Sequence, residues 1–103
     1  MLPITSENLT GTWVSVDAPA AETTRYYEDG SFSGRVEDHG KIIWLYSGNW
    51  KLDGHTMNTA YTFSSLDRVP VGTTDSDEIL GIGCGMIRFR NKSGIVGQYR
   101  LTR

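Results

Sequence analysis

The chain has a single cysteine, three prolines and no apolar run near the roughly 18 residues that a membrane span needs. Each shortage excludes something. A lone thiol, Cys84, cannot form an internal disulfide, nor half of a two-cysteine metal or redox pair. In Gly83-Cys84-Gly85 it reads as a small half-buried residue, with a reactive thiol as the alternative. Charge of one sign is also scarce. Ten Lys and Arg stand against twelve Asp and Glu, a formal net charge of −2 with no like-charged block, so the basic stripe that nucleic-acid binding needs is absent. The first residues lack the basic and apolar stretches of a signal peptide. The chain is cytoplasmic if this is its native N-terminus, and periplasmic or secreted if a signal was removed; the residues leave both open. Helical periodicity is scarce as well. Only a short turn at Thr5–Asn8 and a second near Ala18–Glu22 suggest helix.

What is present is a β composition: twelve glycines, five tyrosines, three tryptophans and many threonines in 103 residues. That length fits one domain, 1–103, with 1–8 as an N-terminal extension. Turn signals divide the rest. Asp29-Gly30 reads as a two-residue type I′ hairpin. Asp38-His39-Gly40, Asp53-Gly54, Gly83-Cys84-Gly85 and Lys92-Ser93-Gly94 mark further turns. Eight strands follow: 11–16, 23–28, 31–37, 41–52, 55–64, 77–82, 85–91 and 95–102. Their short connections favour an antiparallel meander, closed or partly open as a small barrel. The long connection is 65–76, with Pro70 and Gly72, in the length range of lids and binding loops.

Alternation gives most strands one apolar and one polar face. Strand 41–52 differs. Ile42, Trp44, Tyr46, Trp50 and Leu52 share one parity, but Ile43 and Leu45 lie on the other. Its outer face therefore calls for a cover: the N-terminal segment, loop 65–76, or a partner chain. Parity places Tyr27, Phe32, Trp44, Tyr46, Met57, Tyr61, Phe63, Met86 and Tyr99 inside. These aromatics either fill the core or line a pocket, with Arg25 or Arg88 as its polar handles.

Catalytic and metal signatures are thin. His39 and His55 fall in turns, where histidines are usually solvated. With one Cys and two His, a closed zinc site would need a carboxylate ligand. Asp75, Asp77 and Glu78 read as a solvated acidic loop without the spacing of a calcium loop. Gly81, Gly83 and Gly85 alternate as in a strand and open no helix, so they form no phosphate loop. No catalytic residue, metal or cofactor is assigned.

Gly11-Thr12-Trp13 opens the first strand, Tyr26-Tyr27-Glu28-Asp29-Gly30-Ser31-Phe32 follows, then Gly48-Asn49-Trp50-Lys51-Leu52-Asp53-Gly54, and Gly97-Gln98-Tyr99-Arg100 closes the chain. This ordered set, over residues 9–103, resembles the calycin superfamily, and within it the small bacterial lipocalin-like domains. The resemblance implies a barrel closed at one end by Trp13 with Arg100, or secondarily Arg103, packed across the indole. It also implies a non-enzymatic module that binds a small hydrophobic or amphipathic ligand inside. The alternative is a protein-interaction or immunity-type inhibitor domain, or a homodimer, using Ile43 and Leu45 on strand 41–52 with loop 65–76. An enzyme would need His39 or His55 to face the interior beside a carboxylate.

Overall fold

The computed structural model describes residues 2–102. One short helix, α1 (Ser6–Leu9), precedes eight strands: β1 (Gly11–Ser15), β2 (Ala21–Tyr26), β3 (Ser31–Asp38), β4 (Lys41–Asp53), β5 (Thr56–Ser64), β6 (Thr74–Gly83), β7 (Met86–Arg90) and β8 (Val96–Thr102). They form a closed antiparallel barrel in sequence order, with β8 returning to pair with β1. Closure leaves no unpaired edge. The expected all-β meander and its eight strands are therefore observed, with shifts of a few residues at most ends. No helix forms at Ala18–Glu22, because β2 already begins at Ala21. Among the described residues no helix is long and apolar enough to cross a membrane.

The hairpin loops, together with two β-bulges, decide which side chains face inward. Asp29-Gly30 is not a two-residue turn. Tyr27 donates its N–H to the Ser31 carbonyl and Gly30 donates to the Tyr27 carbonyl, so the loop holds one more residue and ends on Gly30 at φ 88°. Such a three-residue loop needs a left-handed residue in its last place, which glycine supplies without strain. Tyr26, not Tyr27, then faces Phe32 across the strands. A one-residue change of register exchanges the two faces of a strand. Glu22, Thr24 and Tyr26 therefore point inward, while Arg25 and Tyr27 point outward.

The bulges do the same locally. The β3–β4 register shifts after Val36, where Trp44 opposes Val36 and Ile42 opposes Glu37. Ile43 is the extra residue, and Ile42 turns outward with Glu37. The β4–β5 register shifts at Ser47/Gly48, so Gly48 opposes Tyr61 and Ser47 opposes Phe63. Phe63 thereby leaves the interior. At this bulge the backbones come so close that a Cβ on Gly48 would lie 1.9 Å from the Ala60 carbonyl oxygen.

The two ends of the barrel differ. At the end where the chain enters, Leu9 of α1 is fully buried and packs with Trp13, Trp50, Met57, Ile79, Ile82 and Ile87. Thr5 caps α1 by accepting from the Asn8 N–H, and Leu2 bridges to Ile82. Residues 2–9 thus form a stopper at this end, with Leu9 buried in the core and Ile4 packed against it. Loop 65–73 lies at the other end, where Gly72 donates to the Tyr61 carbonyl and Tyr61 to that of Thr73.

Replacing Gly48 by Ala drives a methyl into the Ala60 backbone. Urea denaturation will show a loss of about 3 kcal/mol or more, at the upper end for overpacked sites.

Candidate functional site

The interior above the apolar base holds a cavity of about 310 Å³. Trp13 and Phe32 lie on its floor side, Tyr26, Tyr46 and Tyr61 on one wall, and Phe89 and Tyr99 on the other, with Thr24, Thr59 and Gly97 between. Asn91 and Ile95, both exposed, border it where β7 passes into β8. The cavity therefore opens at the end opposite the stopper. The rings lock one another at an angle: Phe32 against Tyr61 at 5.6 Å between centroids, Tyr46 against Tyr61 at 5.8 Å, and Phe89 against Tyr99 at 5.7 Å. Edge-to-face pairs of this kind contribute about 0.5–1.5 kcal/mol each beyond area burial. A Cβ on Gly34 would meet the Tyr46 ring at 2.3 Å, so that glycine lets the ring lie flat against β3.

Two carboxylates enter this aromatic space. Glu22 accepts from the Tyr46 hydroxyl at Oε2 and from the Tyr99 hydroxyl at Oε1, both at 2.6 Å. The Thr24 hydroxyl also bonds the Tyr46 oxygen. Asp77, on β6, faces inward beside Ile79 and opposite Met57. Burial raises its pKa first, and the negative charges of Asp75 and Glu22 raise it further, against a smaller opposing effect of Lys92. Burial is also the main cause that pushes the phenols of Tyr26, Tyr46, Tyr61 and Tyr99 well above their usual range, with Glu22 adding to each. These phenols remain donors at any physiological pH. Among the described residues no Lys, Arg or His borders the cavity.

The residues expected inside divide into three groups. Phe32, Tyr46, Tyr61 and Tyr99 line the cavity. Met57 is fully buried in the base, and Trp44 packs on Tyr46 at 4.4 Å between centroids, with its indole N–H on the Ser64 hydroxyl. Tyr27, Phe63 and Met86 lie outside. The hairpin register displaces Tyr27, whose ring instead carries the Arg25 guanidinium at 5.0 Å. The β4–β5 bulge displaces Phe63. Met86 opposes Gly83 and the exposed Arg100, while its neighbour Ile87 takes the interior. Arg25 and Arg88 are exposed on the outer face and give the cavity no polar handle.

Trp13 does not pair with Arg100. Leu101 stands opposite Trp13 and Arg100 opposite Val14, so the guanidinium and the indole lie on opposite sides of the sheet. The indole N–H donates instead to the Leu9 carbonyl at 2.9 Å. Arg103 lies outside the described residues. Asp75, Asp77 and Glu78 belong to β6, not to a loop; Glu78 faces out and pairs with Arg90 at 2.5 Å. Cys84 is exposed at φ 53° in the tight turn between β6 and β7, not half-buried. His39 and His55 are exposed in turns, His39 beside Asp38 at 2.7 Å. Among the described residues no group of three or more His, Cys, Asp or Glu is placed to hold a metal.

Sequence reading missed Glu22, Thr24, Tyr26 and Asp77. The signal for the first three was the choice between Tyr26 and Tyr27 as the partner of Phe32. The signal for Asp77 was its even spacing with Ile79, which places it on the apolar side of β6. No protein-family model, curated protein or solved structure matches the chain.

Two titrations check the electrostatics. A raised Asp77 pKa means that the folded state holds its proton more tightly than the unfolded chain. Its contribution to stability is present below the ordinary aspartate range and is lost as pH rises through the folded value. Asp77→Asn will therefore gain denaturation midpoint relative to the parent as pH rises above the ordinary aspartate value of about 4. Spectrophotometric titration will find the phenols of Tyr26, Tyr46, Tyr61 and Tyr99 un-ionised above their ordinary value of about 10 until the barrel unfolds.

Proposed function

We propose that the chain is a binding module of lipocalin type that holds one small amphipathic molecule inside the barrel. The observation that carries the reading is the cavity itself. A barrel of this size is most stable when its interior is filled, yet aromatic side chains here surround about 310 Å³ of space open at one end. An engineered apolar cavity of about 150 Å³ is enough for benzene, so a ligand of one ring and a short tail fits. Aromatic walls with a few placed polar groups are the usual composition of small-molecule sites. The calycin-like order of Trp13, Phe32, Trp50 and Tyr99 along an eight-stranded meander supports the same reading.

The cavity contains Trp13, so its filling is visible in fluorescence. A panel of small amphipaths will quench tryptophan emission saturably at one molecule per chain. Gly97→Trp, which fills the mouth, will weaken binding about tenfold, a loss of about 1.4 kcal/mol. Native mass spectra without any bound small molecule, together with unsaturable quenching across the panel, would contradict the reading.

A second reading is favoured by a separate observation. On the outer face Ile42, Ile43, Leu45 and Phe63 are exposed by 51, 43, 41 and 51%. Loop 65–73 hydrogen-bonds β4 through Ser65, whose N–H donates to the Leu45 carbonyl and whose hydroxyl accepts from the Leu45 N–H, and leaves these side chains exposed. Contiguous apolar patches mark protein contacts, as an interaction domain or a homodimer through β4 requires. Sedimentation across protein concentration tests it: association that Leu45→Lys abolishes supports this reading, and a monomer at every concentration with no partner contact at β4 removes it.

A further inference from the structure

We infer that the cavity selects a cationic ligand, a small amine with an aromatic or short alkyl tail, with its ammonium held between Glu22 and Asp77 and its tail among Phe32, Trp13 and Phe89. The inference rests on the binding reading above and adds the charge of the ligand. Three independent features of the cavity lead to it.

The first is the sign of the charges facing inward. Glu22 and Asp77 both border the cavity, and among the described residues no basic side chain does. Of the arginines on the neighbouring strands, Arg25 lies over Tyr27, Arg35 pairs with Glu37 and Arg90 with Glu78, while Arg88 and Arg100 are exposed. Lys92 in the β7–β8 loop lies 3.9 Å from Asp75 and is 69% exposed. A half-buried carboxylate without a cation still carries a desolvation cost, and an ammonium ligand would relieve the mutual repulsion of Glu22 and Asp77. An anionic ligand such as a fatty acid would add to it.

The second is the wall. Tyr26, Tyr46, Tyr61 and Tyr99 all line the same space. Aromatic cages attract cations through the negative faces of the rings, most strongly where water is excluded. The third is the hydrogen-bond arrangement. Tyr46 and Tyr99 donate to Glu22 from two sides. This holds the carboxylate in one orientation before any ligand arrives, which reduces the ordering cost of binding.

The test uses three matched probes on the intact chain at neutral pH: 2-phenylethylamine, 2-phenylethanol and 3-phenylpropanoate, followed by calorimetry or tryptophan emission. The amine is expected to bind at least about tenfold tighter than the alcohol, with the carboxylate weakest. Glu22→Gln and Asp77→Asn should each remove most of that preference, read as the ratio of amine to alcohol affinity, and circular dichroism with a cooperative thermal transition shows that the variants are folded. Equal binding of the three probes would overturn the cationic assignment and leave the cavity reading standing. Binding of none of them would overturn both. A preference for the amine that survives both substitutions would assign the selectivity to groups other than these carboxylates and overturn the inference as stated.

Discussion

Glu22 starts on β2 and reaches hydroxyls on β4 and β8, strands that are not its neighbours in the sheet. A carboxylate inside a barrel is expensive unless donors surround it, and charge-assisted bonds from phenols are among the stronger ones available. Tyr46 and Tyr99 are held in turn by the rings around them, so the upper interior cannot simply collapse onto itself. Its side chains are fixed both by ring packing and by the polar bonds that cross the space to Glu22. That one arrangement keeps the cavity open, adds to the upward shift that burial imposes on the phenols beside it and, with Asp77, gives the interior its negative sign.

Such an arrangement needs a rigid foundation. The stopper supplies it. Leu9 has no exposed surface, and its carbonyl takes the Trp13 indole N–H. The indole thus faces two environments: apolar side chains of the base below and the cavity above. Core burial is concentrated in this half, from Leu9 through Ile87. Fully burying a large aliphatic side chain stabilises by about 1.5–3 kcal/mol. A few such residues at the base can therefore support a polar, partly empty upper half. The division is along the barrel axis, with the apolar packing at one end and the polar, open cavity at the other.

Much of the fold was legible because turn glycines and alternating strands are local signals. The eight strands, the helical turn after Thr5 and the buried Trp50 needed no long-range information. Part of the cavity was legible too, since alternation alone places Phe32, Tyr46, Tyr61 and Tyr99 on the inner side of their strands. The remainder turned on single residues of register. Asp29-Gly30 suits a two-residue loop and a three-residue loop equally well, and only the pairing of Tyr26 with Phe32 decides between them. The same ambiguity hid Glu22, which lies just before the strand expected from 23. The outward turn of Phe63 depends on a bulge at Gly48 that alternation alone does not mark. Trp13 and Arg100 failed as a pair for the same reason: neighbouring strands set side chains opposite each other, and Leu101 took the place opposite Trp13.

The central claim is that the upper interior is an open space organised by Glu22. A high-resolution crystal structure tests it most directly. The account predicts the Glu22 carboxylate inside the barrel, within hydrogen-bond distance of both Tyr46 and Tyr99, and ordered water or a bound small molecule in the space above Trp13. Glu22 turned out into solvent, with the tyrosine rings closed over Phe32 and no space between them, would contradict it.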